Sequence, residues 1–106
     1  MRVLFDQGTP VPLRQELADH SVSTAYELGW ATLKNGDLLL YAEAQGFEVL
    51  VTTDTNLRYQ QNLAARRIAV VVLSTTSWPR IRLVVERVAI AVNSASVGSY
   101  AEVSVP

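Results

Sequence analysis

Short apolar runs alternate with segments of helical spacing along this chain. Val3-Leu4-Phe5, Val49-Leu50-Val51 and Ile68 to Leu73 are continuous apolar runs, and the last, rich in β-branched residues, has the pattern of a strand covered on both faces. They predict strands over Arg2 to Phe5, Glu48 to Thr53 and Ile68 to Leu73, with a brief one at His20 to Ser23. Between them, Pro12 opens a short helix running to about Ala18, and Thr24 to Gly29 forms a helical turn closed by its glycine. Gly36 to Gln45 reads as a helix with Asp37 in its first turn and Gly46 as its stop, and Thr55 to about Ala65 reads as another. The last helix is capped by Ser77, has Pro79 in its first turn, and repeats Ile81, Val84, Val85, Val88 and Val92 at spacings of three and four.

Strands alternating with helices imply a parallel sheet with right-handed crossovers and helices on both faces, a three-layer α/β/α domain. The expected core order is 2-1-3-4, and the alternating tail from Tyr100 to Val105 can add an edge strand. The chain has 106 residues, 49% of them apolar and 18% charged, enough for one domain over residues 1–106 with a single small core. Having no cysteine, it can build neither a disulfide framework nor a thiolate metal site. No apolar run approaches the roughly 20 residues that span a bilayer, and no basic leader precedes the first strand. The expected setting is cytoplasmic, away from membranes, with a homodimer among the candidate assemblies.

Asp6 and Asp54 each stand at the carboxyl end of an apolar run. If those runs are adjacent parallel strands, both carboxylates emerge in the crevice where open α/β sheets place their ligands. Two such groups repel unless a shared proton or a divalent cation intervenes. Charge is also divided along the chain: Met1 to Leu57 carries eight acids and three bases, whereas Arg58, Arg66, Arg67, Arg80, Arg82 and Arg87 face only Glu86 and Glu102 in the remainder. An acidic half able to hold a cation beside an arginine-rich half able to hold phosphates suits a nucleic-acid enzyme. Solvated helix faces that happen to differ would give the same count.

The opening Arg-Val-Leu-Phe-Asp, the stretch from Asn35 to Glu43 and the block from Val49 to Leu57 together resemble the PIN-like domains, in particular a small bacterial group related to toxin ribonucleases. The resemblance runs from Met1 to Leu73 and rests on the order and spacing of short motifs. It implies a compact α/β/α fold in which Asp6, Asp37 and Asp54 bind Mg2+ or Mn2+ and a metal-activated water cleaves RNA, with an antitoxin protein as partner. Many relatives have a further acid two residues after the Thr-x-Asp motif. This chain has Asn56 there, whose carbonyl can coordinate or hold a water without adding charge. Asp6, Asp37, Asp54 and Asn56 are thus the expected catalytic set, and Arg58, Arg66 and Arg67 the expected phosphate contacts.

Each residue also has an ordinary explanation. Asp6 can start a turn ahead of Gly8 and Pro10, Asp54 can cap the helix that follows it, and Asp37 gains from the helix dipole alone. Glu43 lies about 240° round the helix from Asp37 and stays peripheral. Thr52 and Thr53 could orient a carboxylate. His20 has no second histidine with which to chelate, and Trp78 reads as packing. Tyr59, Gln60, Gln61 and Asn62 could touch substrate or form a polar helix face. Two further functions fit the same fold: a binding module without catalysis that acts through a protein partner, favoured by Asn56, and a flavodoxin-like or receiver domain, disfavoured because Lys34 is the only lysine.

Overall fold

The computed structural model describes residues 1–60 and 62–106, apart from the side chains of Arg58 and Gln60. Five strands form one sheet: β1 (Arg2–Phe5), β2 (Ser21–Thr24), β3 (Val49–Thr52), β4 (Ala69–Leu73) and β5 (Tyr100–Val103). Every pairing is parallel and the order is β2-β1-β3-β4-β5. The expected 2-1-3-4 core is therefore present, with the alternating tail as the fifth, edge strand. This is the order of the flavodoxin-like doubly wound sheets, in which the chain reverses direction of winding between β1 and β3.

Side-chain alternation divides the core in two. Val3, Phe5, Val49, Val51, Val71 and Leu73 point to one face and pack with Leu13, Leu17, Ile81, Val84, Val88 and Val92. Leu4, Leu50, Val70 and Val72 point to the other and pack with Leu38, Leu39, Ala42, Leu57 and Leu63. Because strand side chains alternate with period two, runs covered on both sides must be apolar at every position. β3 and β4 are buried throughout.

The connecting elements differ in detail from their sequence patterns. The segment after β1 is a 3-10 helix over Val11–Leu17, with proline in its first turn as expected. Helix α1 spans Asn35–Ala44 and ends as expected at Gly46, which has φ +79°. The single helix expected over Thr55 to Ala65 is instead two pieces, α2 (Leu57–Gln60) and a 3-10 turn at Leu63–Ala65, with Gln61 outside the described residues. Leu57 and Leu63 are both buried, yet six residues separate them by about 240° on a regular helix, so a continuous helix could not sink both into the sheet.

The final helix is likewise broken, into α3 (Trp78–Ile81), a 3-10 turn at Arg82–Val84 and α4 (Val85–Asn93). Three residues per turn keeps Ile81 and Val84 on the sheet side through the break. Val85, expected in the buried stripe, is only half-buried. Ser77 occupies the cap position, but its side chain makes no cap hydrogen bond. Trp78 packs against the core, as expected. No helix among the described residues is long and apolar enough to cross a membrane.

Three arginines of the basic half have structural partners. Arg66 Nη1 donates to Glu43 Oε1 at 2.8 Å and the Arg67 backbone N–H donates to Glu43 Oε2 at 3.0 Å, which fastens the approach to β4 onto α1. Arg80 Nε donates to the Pro106 carbonyl at 2.6 Å. Burial alone would raise the Glu43 carboxyl, but the Arg67 N–H, the Arg66 hydrogen bond and both guanidinium charges outweigh it and hold the group below 4.5. A depressed folded value stabilises the fold above the unfolded pKa and is lost as pH falls through the folded one. Glu43→Gln should therefore cost about 1 kcal/mol at neutral pH. The gap between wild type and variant should close below pH 4.5, as urea denaturation at neutral and acid pH will measure.

Candidate functional site

Thr9, Thr24 and Thr52 are the buried polar residues among the described ones, and all three stand at the carboxyl edge of the sheet. Thr52 ends β3, Thr24 ends β2, and Thr9 lies in the loop that leaves β1. Buried hydroxyls need partners. Those of Thr9 and Thr52 find them around Asp6.

Asp6 follows β1 directly, and its backbone N–H donates to the Val51 carbonyl at 3.1 Å, so β3 fixes where its side chain starts. Thr9 Oγ1 donates to Asp6 Oδ1 at 2.7 Å and also lies 2.9 Å from the Val51 carbonyl oxygen. Thr52 Oγ1 donates to Asp6 Oδ2, and the same hydroxyl accepts the Asp54 backbone N–H at 3.1 Å. One buried hydroxyl thus ties the carboxylate that ends β1 to the backbone that follows β3. The turn explanation of Asp6 also holds, since Thr9 N–H donates to the Asp6 carbonyl at 3.2 Å. Gly8 packs close to the end of β3 in this loop: a Cβ there would stand 2.6 Å from Thr53 Oγ1 and displace that side chain.

Asp54 is held from two sides. Its Oδ2 accepts Asn35 Nδ2 from the first residue of α1, and its Oδ1 accepts the Asn56 backbone N–H at 2.9 Å. The second bond is a local turn ahead of α2, so the capping explanation describes part of what Asp54 does. Asn56 thereby contributes its backbone to the site and is itself exposed.

Asp37 is not drawn into this network. Asn35 reaches Asp54 from α1, and a residue two positions further on projects about 200° away on a helix. Asp37 is exposed, and no group of three or more His, Cys, Asp or Glu residues able to hold a metal occurs among the described residues. The three-acid set expected from sequence is thus a two-carboxylate network completed by Thr52, Thr9, Asn35 and Asn56. Of the expected phosphate contacts, Arg66 is paired with Glu43. Arg67 lines a cleft with Met1 and Glu48, at the opposite, amino-terminal edge of the sheet. The side chain of Arg58 lies outside the described residues, as do those of Gln60 and Gln61. Tyr59 and Asn62 are exposed. His20 Nε2 lies 2.6 Å from Asn93 Oδ1, a bond between elements remote from the carboxylates.

Two clefts flank the network. One, of about 340 Å³, is lined by Asp6, Thr9, Arg14, Thr24, Tyr26 and Glu27 among others. The other, of about 230 Å³, is lined by Thr55, Ser74, Glu102 and Ser104 among others. Asp6 lines the first cleft, and Thr55, which follows Asp54, lines the second. The sequence gives a signal for the first cleft in Thr24-Ala-Tyr-Glu27, the spacing of a capping box. Thr24 Oγ1 accepts the Glu27 N–H at 3.1 Å and Glu27 Oε1 accepts the Thr24 N–H at 2.9 Å.

The oxygens gathered here are those of the Asp6 and Asp54 carboxylates, the Thr9 and Thr52 hydroxyls and the Val51 carbonyl, a hard set suited to Mg2+ or Mn2+ and unsuited to soft metals. Mg2+ is commonly held by one or two protein carboxylates, with waters and substrate oxygens completing its shell, so two carboxylates are a sufficient protein contribution. No protein-family model, curated protein or solved structure matches this chain. The case for function is therefore made by the carboxyl-edge network itself.

Proposed function

We propose that this chain is a metal-dependent ribonuclease of the PIN-like kind, hydrolysing RNA phosphodiesters with Mg2+ or Mn2+ and serving in the cytoplasm as the toxin of a toxin and antitoxin pair. The observation that carries the reading is the buried Thr52 hydroxyl at the β1/β3 switch point, which donates to the Asp6 carboxylate and accepts the Asp54 backbone N–H, so that both acidic residues share one anchor. Asp6 and Asp54 would hold the cation and Asn56 would present its amide to the attacking water, whereas Asp37, turned away from the network, takes no part in it. When bound, the cation activates water for attack on phosphorus and offsets the charge that builds on the phosphate oxygens. Thr9 and Thr52 keep the Asp6 carboxylate in one orientation, while Asn35 and the Asn56 N–H do the same for Asp54, the role outer partners play at metal centres. Arg58, four positions after Asp54, is the phosphate contact that this reading retains.

One observation favours the binding-module alternative: all four oxygens of Asp6 and Asp54 already accept hydrogen bonds from the protein, so the network stands without a cation. Thermal unfolding separates the two. A cation that binds only the folded state at ten times its Kd adds about 1.4 kcal/mol, several degrees of Tm for a domain of this size. Manganese should raise the Tm of the wild type and leave Asp6→Asn unmoved, with a matching heat in titration calorimetry. Unchanged melting and no heat would leave the partner-binding module as the better reading.

A further inference from the structure

The cleft beside Asp6 has a wall that the carboxylate network does not explain. That wall is the turn after β2, made rigid by the reciprocal bonds between Thr24 and Glu27 and pinned to β1 by the Ala25 N–H, which donates to the Phe5 carbonyl at 2.8 Å. Tyr26 sits on this turn, lines the cleft, and is 74% exposed. A tyrosine held on a fixed turn with most of its surface in water, next to a carboxylate, offers its ring face to a planar group.

Arg14 reaches the same cleft from the 3-10 helix. Its Nη1 and Nη2 donate to Glu27, while its Nε is buried and makes no hydrogen bond among the described residues. A guanidinium carries five N–H donors, so some remain to be used. The hydrogen bond from Arg14, with that from the Thr24 N–H, holds the Glu27 carboxyl below its ordinary value, so Glu27 serves as an anion that orients Arg14.

The charges select the occupant. Asp6 and Glu27 against Arg14 leave the cleft net negative, which disfavours a free phosphate inside it. A planar neutral group with acceptors on its edge would meet both the ring and the spare donors. A nucleobase has that form, and about 340 Å³ falls within the 300–1,000 Å³ usual for small-ligand sites. Only a base free of its own stack can lie on a protein ring.

We infer that this cleft receives one unpaired nucleotide of the RNA strand, its base stacked on Tyr26 and its edge met by Arg14. This inference rests on the ribonuclease reading for its substrate and assigns one base of that substrate to Tyr26 and Arg14. A fluorescein-labelled single-stranded RNA and a duplex of the same sequence provide the test, followed by anisotropy in EDTA and by stopped flow in manganese. Tyr26→Ala should weaken single-strand binding about tenfold, as base–aromatic contacts do, and Tyr26→Phe should restore it. Arg14→Lys, which keeps the charge opposite Glu27 but loses the planar fork, should weaken it severalfold. Duplex affinity should ignore Tyr26. Wild-type affinity in Tyr26→Ala, or no single-strand binding by the wild type in either condition, would overturn the subsite. Tyr26-dependent binding without manganese-dependent cleavage would uphold the subsite and remove the ribonuclease. Cleavage indifferent to Tyr26 and Arg14 would do the reverse.

Discussion

Asp54→Asn is expected to reduce manganese-dependent cleavage of single-stranded RNA by more than about 100-fold, beyond the 10–100-fold typical for losing an outer partner of a metal centre. The substitution removes the charge that would hold the cation while keeping an oxygen able to accept from one of the two donors, Asn35 Nδ2 and the Asn56 N–H. The domain should therefore remain folded, with a circular dichroism spectrum like that of the wild type. RNA binding at the Tyr26 cleft should persist, because no Asp54 atom lines it. Gel assays of cleavage beside anisotropy measurements of binding read both quantities. Equal cleavage by variant and wild type would end the nuclease reading.

Thr52→Val is expected to damage fold and site together. The change is close to isosteric, so it leaves little cavity, but it strands two groups: Asp6 Oδ2 loses a donor and the Asp54 N–H loses its acceptor. Thr52 is fully buried, so water cannot substitute freely. A buried polar group left without a partner costs roughly 1–3 kcal/mol, which lowers Tm by several degrees or more in a domain of this size. With Asp6 released to other rotamers, cleavage should fall about 10–100-fold. Thr52→Ser keeps the hydroxyl and should retain most of the activity, giving up only the stability of one methyl group. A valine variant as active as the serine one would show that Thr52 does not position the carboxylates.

The strands were legible because an all-apolar run buried on both faces has few alternative structures at four to six residues, and β1, β3 and β4 fall within the runs that predict them. Adjacency of β1 and β3 followed from placing Asp6 and Asp54 at one crevice, and the pairing of Val3 with Val49 bears it out. The breaks at Asn62 and at Arg82–Val84 were harder to read, because periodicity reports which residues face the sheet and not whether the backbone between them stays regular. Asn35 and Thr9 were missed for a different reason. Each acts through a single side-chain hydrogen bond whose acceptor is fixed by tertiary geometry, and neither residue type is distinctive in a loop or at a helix start. The charge division along the chain was real in composition but said little about the site, because Glu43 engages Arg66 and the chain end engages Arg80. Arg14, from the acidic half, supplies the cleft instead.

The parallel sheet also sets an order of events in folding. β1 is near the start of the chain and in the interior of the sheet, and its partner β3 arrives only after a long crossover. Asp6 and Thr52 are 46 positions apart. Closing so large a loop must precede the contacts that reward it, which makes such topologies slow to form for their size. During synthesis β1 has β2 on one side and an unmatched hydrogen-bonding edge on the other until β3 is available. The two acidic residues can therefore be brought together only after β3 has been made, and a nascent chain stalled before that point exposes an apolar edge prone to aggregation.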